Sequence, residues 1–229
     1  MGLQERIRDV ESRIGQACLR AGRKREDVNV IAVTKYVTEQ TVRSVLDAGY
    51  EHIGENRWQD ARSKWEALGE RGVWHFIGHL QTNKVKDVVG KFSYIHSLDR
   101  ISLAKELDKQ AAKLELTVNC FLQVNVSGEE SKHGLDPEQL IPFSEQLAQF
   151  PRLKIVGLMT MAPFESEAEA TRPVFRGLRE LRDKLNASGV LPYSVDHLSM
   201  GMSNDFEVAI EEGSTWVRIG SALVGKEMM

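Results

Sequence analysis

The chain has 229 residues, of which 41% are apolar and 28% are charged, and this composition is typical of one folded domain. Its 30 Lys and Arg residues and 33 Asp and Glu residues give a net charge of −3. This charge excludes non-specific electrostatic binding to nucleic acid or to an anionic membrane. Two cysteines without a CxxC spacing, a charged amphipathic start and the lack of a long apolar run together predict a cytoplasmic protein.

The predicted elements alternate along the chain. A helix over residues 2–21 comes first, with apolar residues at helical spacing and Gly22 after its end. Apolar, β-branched runs then predict eight strands, at residues 28–34, 52–54, 73–77, 94–96, 116–126, 154–159, 194–198 and 215–219. Between them the periodicity predicts helices at residues 39–47, 57–68, 83–89, 99–113, 137–149, 167–186 and 204–212.

Strands separated by helices indicate a parallel sheet, and eight such units favour a closed (β/α)8 barrel of the TIM type. A doubly wound open sheet needs the same alternation and is the alternative. The barrel is preferred because the strand count is eight and no glycine-rich first turn is present. We therefore predict one domain over residues 1–229, a single barrel with an additional helix at its amino terminus.

Small residues follow the last two predicted strands, where barrels of this type commonly bind phosphate. Ser199 and Gly201 lie in the turn after the seventh strand, and Gly220 and Ser221 follow the eighth. Either turn alone is more often an ordinary Gly/Ser turn. Two of them at adjacent strand ends favour an anion site in which the backbone approaches the ligand closely.

Lys35 directly follows the first predicted strand, which becomes the neighbour of the eighth when a barrel closes. A lysine at a strand end is most often simply solvated. Here its amine is expected beside the proposed anion site, and an amine in that place can attack an aldehyde. The combination suggests a phosphorylated carbonyl compound as the ligand.

Several segments carry a family resemblance over roughly Val28 to Gly225. They are Ala32-Val-Thr-Lys35, Ile53-Gly-Glu-Asn56, Trp74-His-Phe-Ile-Gly-His-Leu-Gln-Thr-Asn-Lys84, Gly157-Leu-Met159, Leu198-Ser-Met-Gly-Met-Ser203 and Val217-Arg-Ile-Gly220. In this order they resemble the pyridoxal-phosphate homeostasis family (the YggS/PROSC type), whose fold is similar to the N-terminal barrel of alanine racemase.

The resemblance implies a site for pyridoxal 5′-phosphate (PLP). By that likeness Lys35 forms the internal aldimine, a Schiff base with the cofactor, and Asn56 lies near the ring. Arg218 is expected to face the pyridine nitrogen, while Ser199, Gly201, Gly220 and Ser221 are expected to hold the phosphate. The implied function is intracellular vitamin B6 homeostasis by a carrier without catalytic turnover, which is expected to be a monomer and to have apo-PLP enzymes as possible partners.

Other signals are set aside. The run Gly220 to Lys226 resembles part of a P-loop but lacks the following Ser/Thr. His75 and His79 are four residues apart on strand-like sequence, roughly 13 Å, which is too far to share one ion, so no metal is predicted. Lys132 lies in a charged loop, where a secondary cofactor-accepting role is a minority hypothesis.

Two enzymatic alternatives remain beside the carrier. A Schiff-base aldolase would form its Schiff base between Lys35 and the substrate. It would also need an acid–base group near Lys35, and the acidic residue Glu55, at a strand end, is the candidate. A PLP-dependent racemase would need bases on both faces of the cofactor. Tyr36 is the one tyrosine expected next to the site, and we predict that it points away from Lys35.

Overall fold

The structure, a computed structural model, describes residues 2–129, 133–163 and 167–225. Its eight parallel strands close into a barrel in chain order. They are β1 (Asn29–Val33), β2 (His52–Glu55), β3 (Val73–Phe76), β4 (Tyr94–Leu98), β5 (Val118–Gln123), β6 (Leu153–Met159), β7 (His197–Ser199) and β8 (Trp216–Ile219). The predicted (β/α)8 barrel is confirmed, because pairing between β1 and β8 closes the sheet that a doubly wound fold would leave open.

Helices surround the barrel in the predicted order. They are α1 (Leu3–Arg20), α2 (Glu39–Asp47), α3 (Trp58–Leu68), α4 (Val85–Val88), α5 (Ile101–Lys113), α6 (Leu140–Gln146), α7 (Arg172–Ser188), α8 (Phe206–Glu211) and α9 (Ser221–Val224). In the part of the chain that the structure describes, none of these helices has the length and apolar character needed to cross a membrane.

Element bounds differ from the sequence predictions in a few places. The helix predicted over 137–149 is divided into a 3₁₀ turn, α6 and a second 3₁₀ turn. Pro142 lacks the N–H that an unbroken helix would donate to the carbonyl of residue 138, which fits the boundary between the first 3₁₀ turn and α6. The strands predicted over 116–126 and 194–198 are shorter than expected, and α9 was not predicted.

The main apolar core lies between the sheet and the helices. α1 buries Val10, Ile14, Ala17 and Cys18 and packs on α8 and α9, so the additional helix covers the region where the chain completes the barrel. Cys18 and Cys120 are both free and buried, as the sequence predicted.

A second cluster fills the barrel interior and is rich in rings. Ile31, Phe121, Met159 and Trp216 form its apolar part. Gly157 on β6 makes room for it, since a Cβ there would meet the Phe121 ring at 2.5 Å. The interior is therefore a packed layer and not a channel.

Candidate functional site

A cavity of about 710 Å³ opens at the carboxyl ends of the strands. Five of the seven predicted site residues line it, namely Lys35, Asn56, Arg218, Gly220 and Ser221. The register explains why residues distant in sequence meet here. Ile31 on β1 pairs with Arg218 on β8, and Ala32 pairs with Ile219, so the chain beyond β1 lies beside the chain beyond β8.

Lys35 lies two residues past the end of β1. Its Nζ lies 5.0 Å from the centre of the Tyr36 ring. Among the described residues no group forms a hydrogen bond or an ion pair with this ammonium. A primary amine that makes no hydrogen bond or ion pair with the described residues, at the wall of an open cavity, is available to a ligand.

The residue before Lys35 is fixed by a buried ion pair. Lys64 Nζ on α3 lies 2.6 Å from Glu55 Oε1 on β2 and donates to the Thr34 carbonyl oxygen at 2.8 Å. The Thr34 hydroxyl also donates to Glu55 Oε1, at 2.5 Å. Together these contacts hold both the backbone and the side chain of Thr34, and they thereby set the position from which Lys35 reaches the cavity.

Glu55 does not supply a base to the cavity. Its side chain is fully buried, is paired with Lys64 and does not line the cavity. Burial raises the pKa of this carboxyl, while the charge of Lys64 opposes that increase. The aldolase alternative thus loses the acid that the sequence had offered it.

Arg218 reaches the cavity from inside the barrel. Its Nη1 donates to Ser199 Oγ at 2.7 Å, and its Nη2 donates to the Thr160 carbonyl at 3.0 Å. Burial lowers the pKa of Arg218 to about 10, with the charge of Asp205 opposing the change. The guanidinium remains a cation at neutral pH, held in one orientation by two neutral acceptors.

Behind Arg218, a row of hydrogen-bonded imidazoles crosses the barrel interior. His96 Nδ1 lies 2.9 Å from Ser199 Oγ, His96 Nε2 lies 2.9 Å from His75 Nδ1, and His75 Nε2 lies 3.0 Å from His52 Nδ1. His52 lines a second cavity of about 440 Å³. Through Ser199 and Arg218, the row of imidazoles therefore connects the first cavity with the second by hydrogen bonds across the core.

The imidazoles of this row are neutral at neutral pH. Burial lowers the pKa of both His75 and His96 well below the usual range. One proton arrangement satisfies every group. Ser199 accepts from Arg218 and donates to His96, and each ring then donates to the next. The reverse direction would leave the Ser199 hydroxyl proton without an acceptor in the described part of the chain.

Another part of the cavity wall is the turn after β7 and the start of α9. Ser203 Oγ accepts from the N–H groups of Gly220 and Ala222, at 3.2 and 3.3 Å. Its hydroxyl proton is then free to point into the cavity, and the Ser221 N–H has no acceptor among the described residues. Asp205 accepts from Met202 N at 2.6 Å and so fixes the turn. These donors suit an anion.

Two predicted phosphate ligands do not reach the cavity wall. Ser199 is fully buried and contacts Arg218 and His96. Gly201 has φ of +93°, and a Cβ there would lie 2.6 Å from the Cβ of Ala209. Ser199 therefore positions Arg218, and Gly201 lets the turn pack against α8. Ser203, which the sequence interpretation did not select, does line the cavity.

Two further predictions need comment. Tyr36 was expected to point away from the site, but it lines the same cavity as Lys35, with 61% of the residue exposed. Tyr50, Tyr94 and Tyr193 do not line this cavity. Lys132, the minority candidate for a second cofactor-accepting lysine, lies outside the described residues.

Comparison with known proteins first defines the class. Residues 14–228 match the family model described as alanine racemase, N-terminal domain. An alanine racemase of Clostridium difficile 630 has a TM-score of 0.75 over 96% of this chain and 56% of its own, at 14% identity. That likeness concerns the fold alone, and together with the cavity it defines a barrel of the alanine racemase N-terminal type.

Closer relatives define the family. The pyridoxal phosphate homeostasis protein of Aquifex aeolicus (strain VF5) is 46% identical over 227 residues, which cover 99% of each chain. That of Pseudomonas aeruginosa is 42% identical over 224 residues, 97% of this chain and 95% of its own. PipY of Synechococcus elongatus PCC7942, solved with PLP bound, has a TM-score of 0.81 at 35% identity, over 94% of this chain and all of its own. The chain belongs to the family of pyridoxal phosphate homeostasis proteins.

Proposed function

We propose that this chain binds PLP covalently through Lys35 and serves PLP homeostasis as a carrier. The observation that carries the proposal is the Lys35 amine, which makes no hydrogen bond or ion pair with the described residues, at the wall of a cavity that also offers anion donors. The PLP-bound structure of the relative PipY supports it. When bound, PLP supplies an aldehyde that condenses reversibly with an amine and a pyridine ring that can withdraw electrons.

The residues present fit the three chemical parts of this cofactor. Lys35 offers an amine for the aldehyde, and Arg218 offers a cation for the pyridine nitrogen. Ser203, Gly220 and Ser221 offer the hydroxyl and N–H donors that a phosphate requires. Asn56, at the end of β2, is proposed to contact the ring. Ser199 and Gly201 are proposed to act through Arg218 and the turn.

The same arrangement argues against efficient amino-acid turnover. A carboxylate beside the pyridine nitrogen would keep that nitrogen protonated and the ring strongly electron-withdrawing. Arg218 is a cation at neutral pH and makes its hydrogen bonds as a donor, so it cannot play that part. Tyr36 is mostly exposed, and nothing in the described residues holds its hydroxyl as a base is usually held. A carrier needs binding and release, which an open cavity allows.

The first experiment tests the covalent bond. Borohydride reduction of the PLP-loaded protein, followed by peptide mass spectrometry, is expected to place the pyridoxyl group on the peptide that contains Lys35. Lys35→Ala is expected to lose the yellow colour and the adduct while remaining folded, and the exposed Lys113→Ala serves as the matched control. An adduct confined to another lysine, Lys132 included, would refute the assignment.

The second experiment separates carrier from racemase. The loaded protein is incubated with L-alanine or D-alanine, and the products are resolved by chiral chromatography. We expect turnover far below that of an enzyme. A rate on the order of 1 per second or faster would overturn the carrier proposal in favour of the racemase alternative.

The setting of this function is also proposed. Two free, buried cysteines suit a reducing compartment such as the cytoplasm. Transfer of the cofactor to apo-PLP enzymes by a monomer is the simplest form of the carrier proposal. Mixing the loaded protein with an apo-PLP enzyme and following the enzyme's activity tests that transfer directly.

A further inference from the structure

Three potential metal ligands meet at the carboxyl end of the barrel without lining the proposed PLP cavity. His79 follows β3, Asp99 follows β4, and His133 lies where the chain returns after β5. One ligand atom from each lies within 4.8 Å of the other two. The proposed function uses none of these side chains.

The carboxylate of this group is held in place from one side. The side chain of Asp99 is only 9% exposed, and Arg100 Nη1 donates to its Oδ1 at 2.8 Å. Arg100 Nη2 in turn donates to the Leu80 carbonyl at 2.6 Å. No described residue donates a hydrogen bond to Asp99 Oδ2. Support of one carboxylate oxygen by an outer hydrogen bond, with the other oxygen left available, is typical of metal ligands.

The two imidazoles lie against each other near this carboxylate. Their ring centres are 4.1 Å apart, with 21° between the planes. The backbone of His133 is anchored to β5, because its carbonyl accepts from Gln123 Nε2 at 3.1 Å and the Leu135 N–H donates to the Gln123 carbonyl at 2.8 Å. Both rings are exposed, so their side chains can rotate over a fixed backbone.

We propose that His79, Asp99 and His133 bind one divalent metal ion of the zinc type, with water completing four-coordination. Tetrahedral bonds of roughly 2.1 Å place donor atoms about 3.4 Å apart, which small rotations of the exposed rings can reach from the observed spacing. Two imidazole nitrogens and one carboxylate oxygen favour Zn²⁺ over Mg²⁺ or Ca²⁺, which prefer sites made of oxygen.

No sequence motif indicates this site, because its ligands come from separate loops. His79 has a histidine four residues away, but His75 points into the barrel interior, where it bonds His52 and His96. The histidine that lies close to His79 is instead His133. His79 follows β3 and His133 follows β5, and these two strands are the neighbours of β4 in the barrel. A bound ion would connect His79 after β3, Asp99 after β4 and His133 after β5.

The test is a titration of Zn²⁺ into the purified, full-length protein by isothermal titration calorimetry. We expect one ion per chain, with binding at least tenfold weaker in His79→Gln and in His133→Gln. Glu138→Gln is the matched control, because it removes an exposed side chain from the same region outside the cluster, and its affinity is expected to stay within about twofold of the unmodified protein.

Two results would overturn the proposal. One is an affinity weaker than about 1 mM in the unmodified protein. The other is unchanged binding in both histidine variants, which would place the ion elsewhere. A thermal melt accompanies each titration. Zn²⁺ is expected to raise the melting temperature of the unmodified protein and of Glu138→Gln but not of the histidine variants, and a variant unfolded without metal is replaced by Asp99→Asn.

Discussion

Replacing Lys64 with methionine tests whether the buried ion pair beneath Lys35 supports the fold as the geometry implies. Methionine fills a similar volume but removes the charge that Glu55 faces at 2.6 Å. Breaking one side of a buried pair costs about 3–5 kcal/mol, because the remaining charge is left without compensation. Lys64→Met is therefore expected to lose about that much free energy of unfolding near neutral pH.

The dependence on pH follows from the proton that Glu55 can take up. Burial raises the pKa of this carboxyl above its ordinary value of 4.5, and removing Lys64 removes the main opposing cause. A carboxyl that must be neutral in the folded state costs about 1.4 kcal/mol for each pH unit above 4.5, hence about 5 kcal/mol at pH 8 and under about 1 kcal/mol at pH 5. The folded state of the variant binds the proton more tightly, so its deficit grows as pH rises and shrinks as pH falls.

Urea unfolding at about pH 8 and about pH 5 measures both values. The double variant Lys64→Met with Glu55→Gln is expected to recover most of the loss at the higher pH, because a neutral amide needs no counter-charge. Lys109→Met is the matched control, since its pair with Glu106 is exposed, and it should cost less than about 1 kcal/mol. A loss for Lys64→Met below about 1 kcal/mol at pH 8, or an equal loss at both pH values, would refute this account.

Three other substitutions test neighbouring features. Gly201→Ala forces a side chain into a backbone with φ of +93° and against Ala209, so we expect a loss of about 1–3 kcal/mol in urea unfolding. Ser199→Ala leaves Arg218 and His96 without their shared hydroxyl, and PLP binding, followed by absorbance titration, is expected to weaken about tenfold. Arg6→Met removes the guanidinium that donates to the Leu223 and Val224 carbonyls at the end of α9, and a decrease of about 1–2 kcal/mol in the same unfolding assay is expected.

The architecture could be predicted because all eight strands and the helices between them have recognisable local sequence patterns. Residues 28–34 form an apolar run that ends at a lysine, and barrel closure then requires that lysine to lie near Gly220 and Ser221. That expectation needs only the order of the strands and their number. The structure accordingly brings Lys35, Arg218 and the start of α9 to one cavity.

The sequence could not show which group a charged side chain is paired with. Lys64 lies on a helix whose neighbouring residues are largely exposed, and only the packing of α3 over β2 shows that it is buried against Glu55. Ser199 was expected at the surface of the site. In a strand of period two it shares the inward face with His197, and counting from that residue would have placed it inside the barrel.

The seam between β1 and β8 has a consequence for how the protein is made. Lys35 leaves the ribosome early, whereas Arg218 and Ser221 leave it late, so the cavity that these residues line is incomplete on the nascent chain until β8 has been synthesised. Until then the free edge of β1 is open to mispairing with other chains. A ligand that bridges both sides of the seam binds only finished barrels and stabilises them by mass action. Supply of the cofactor during synthesis would then raise the yield of folded protein, independently of what the protein later does with it.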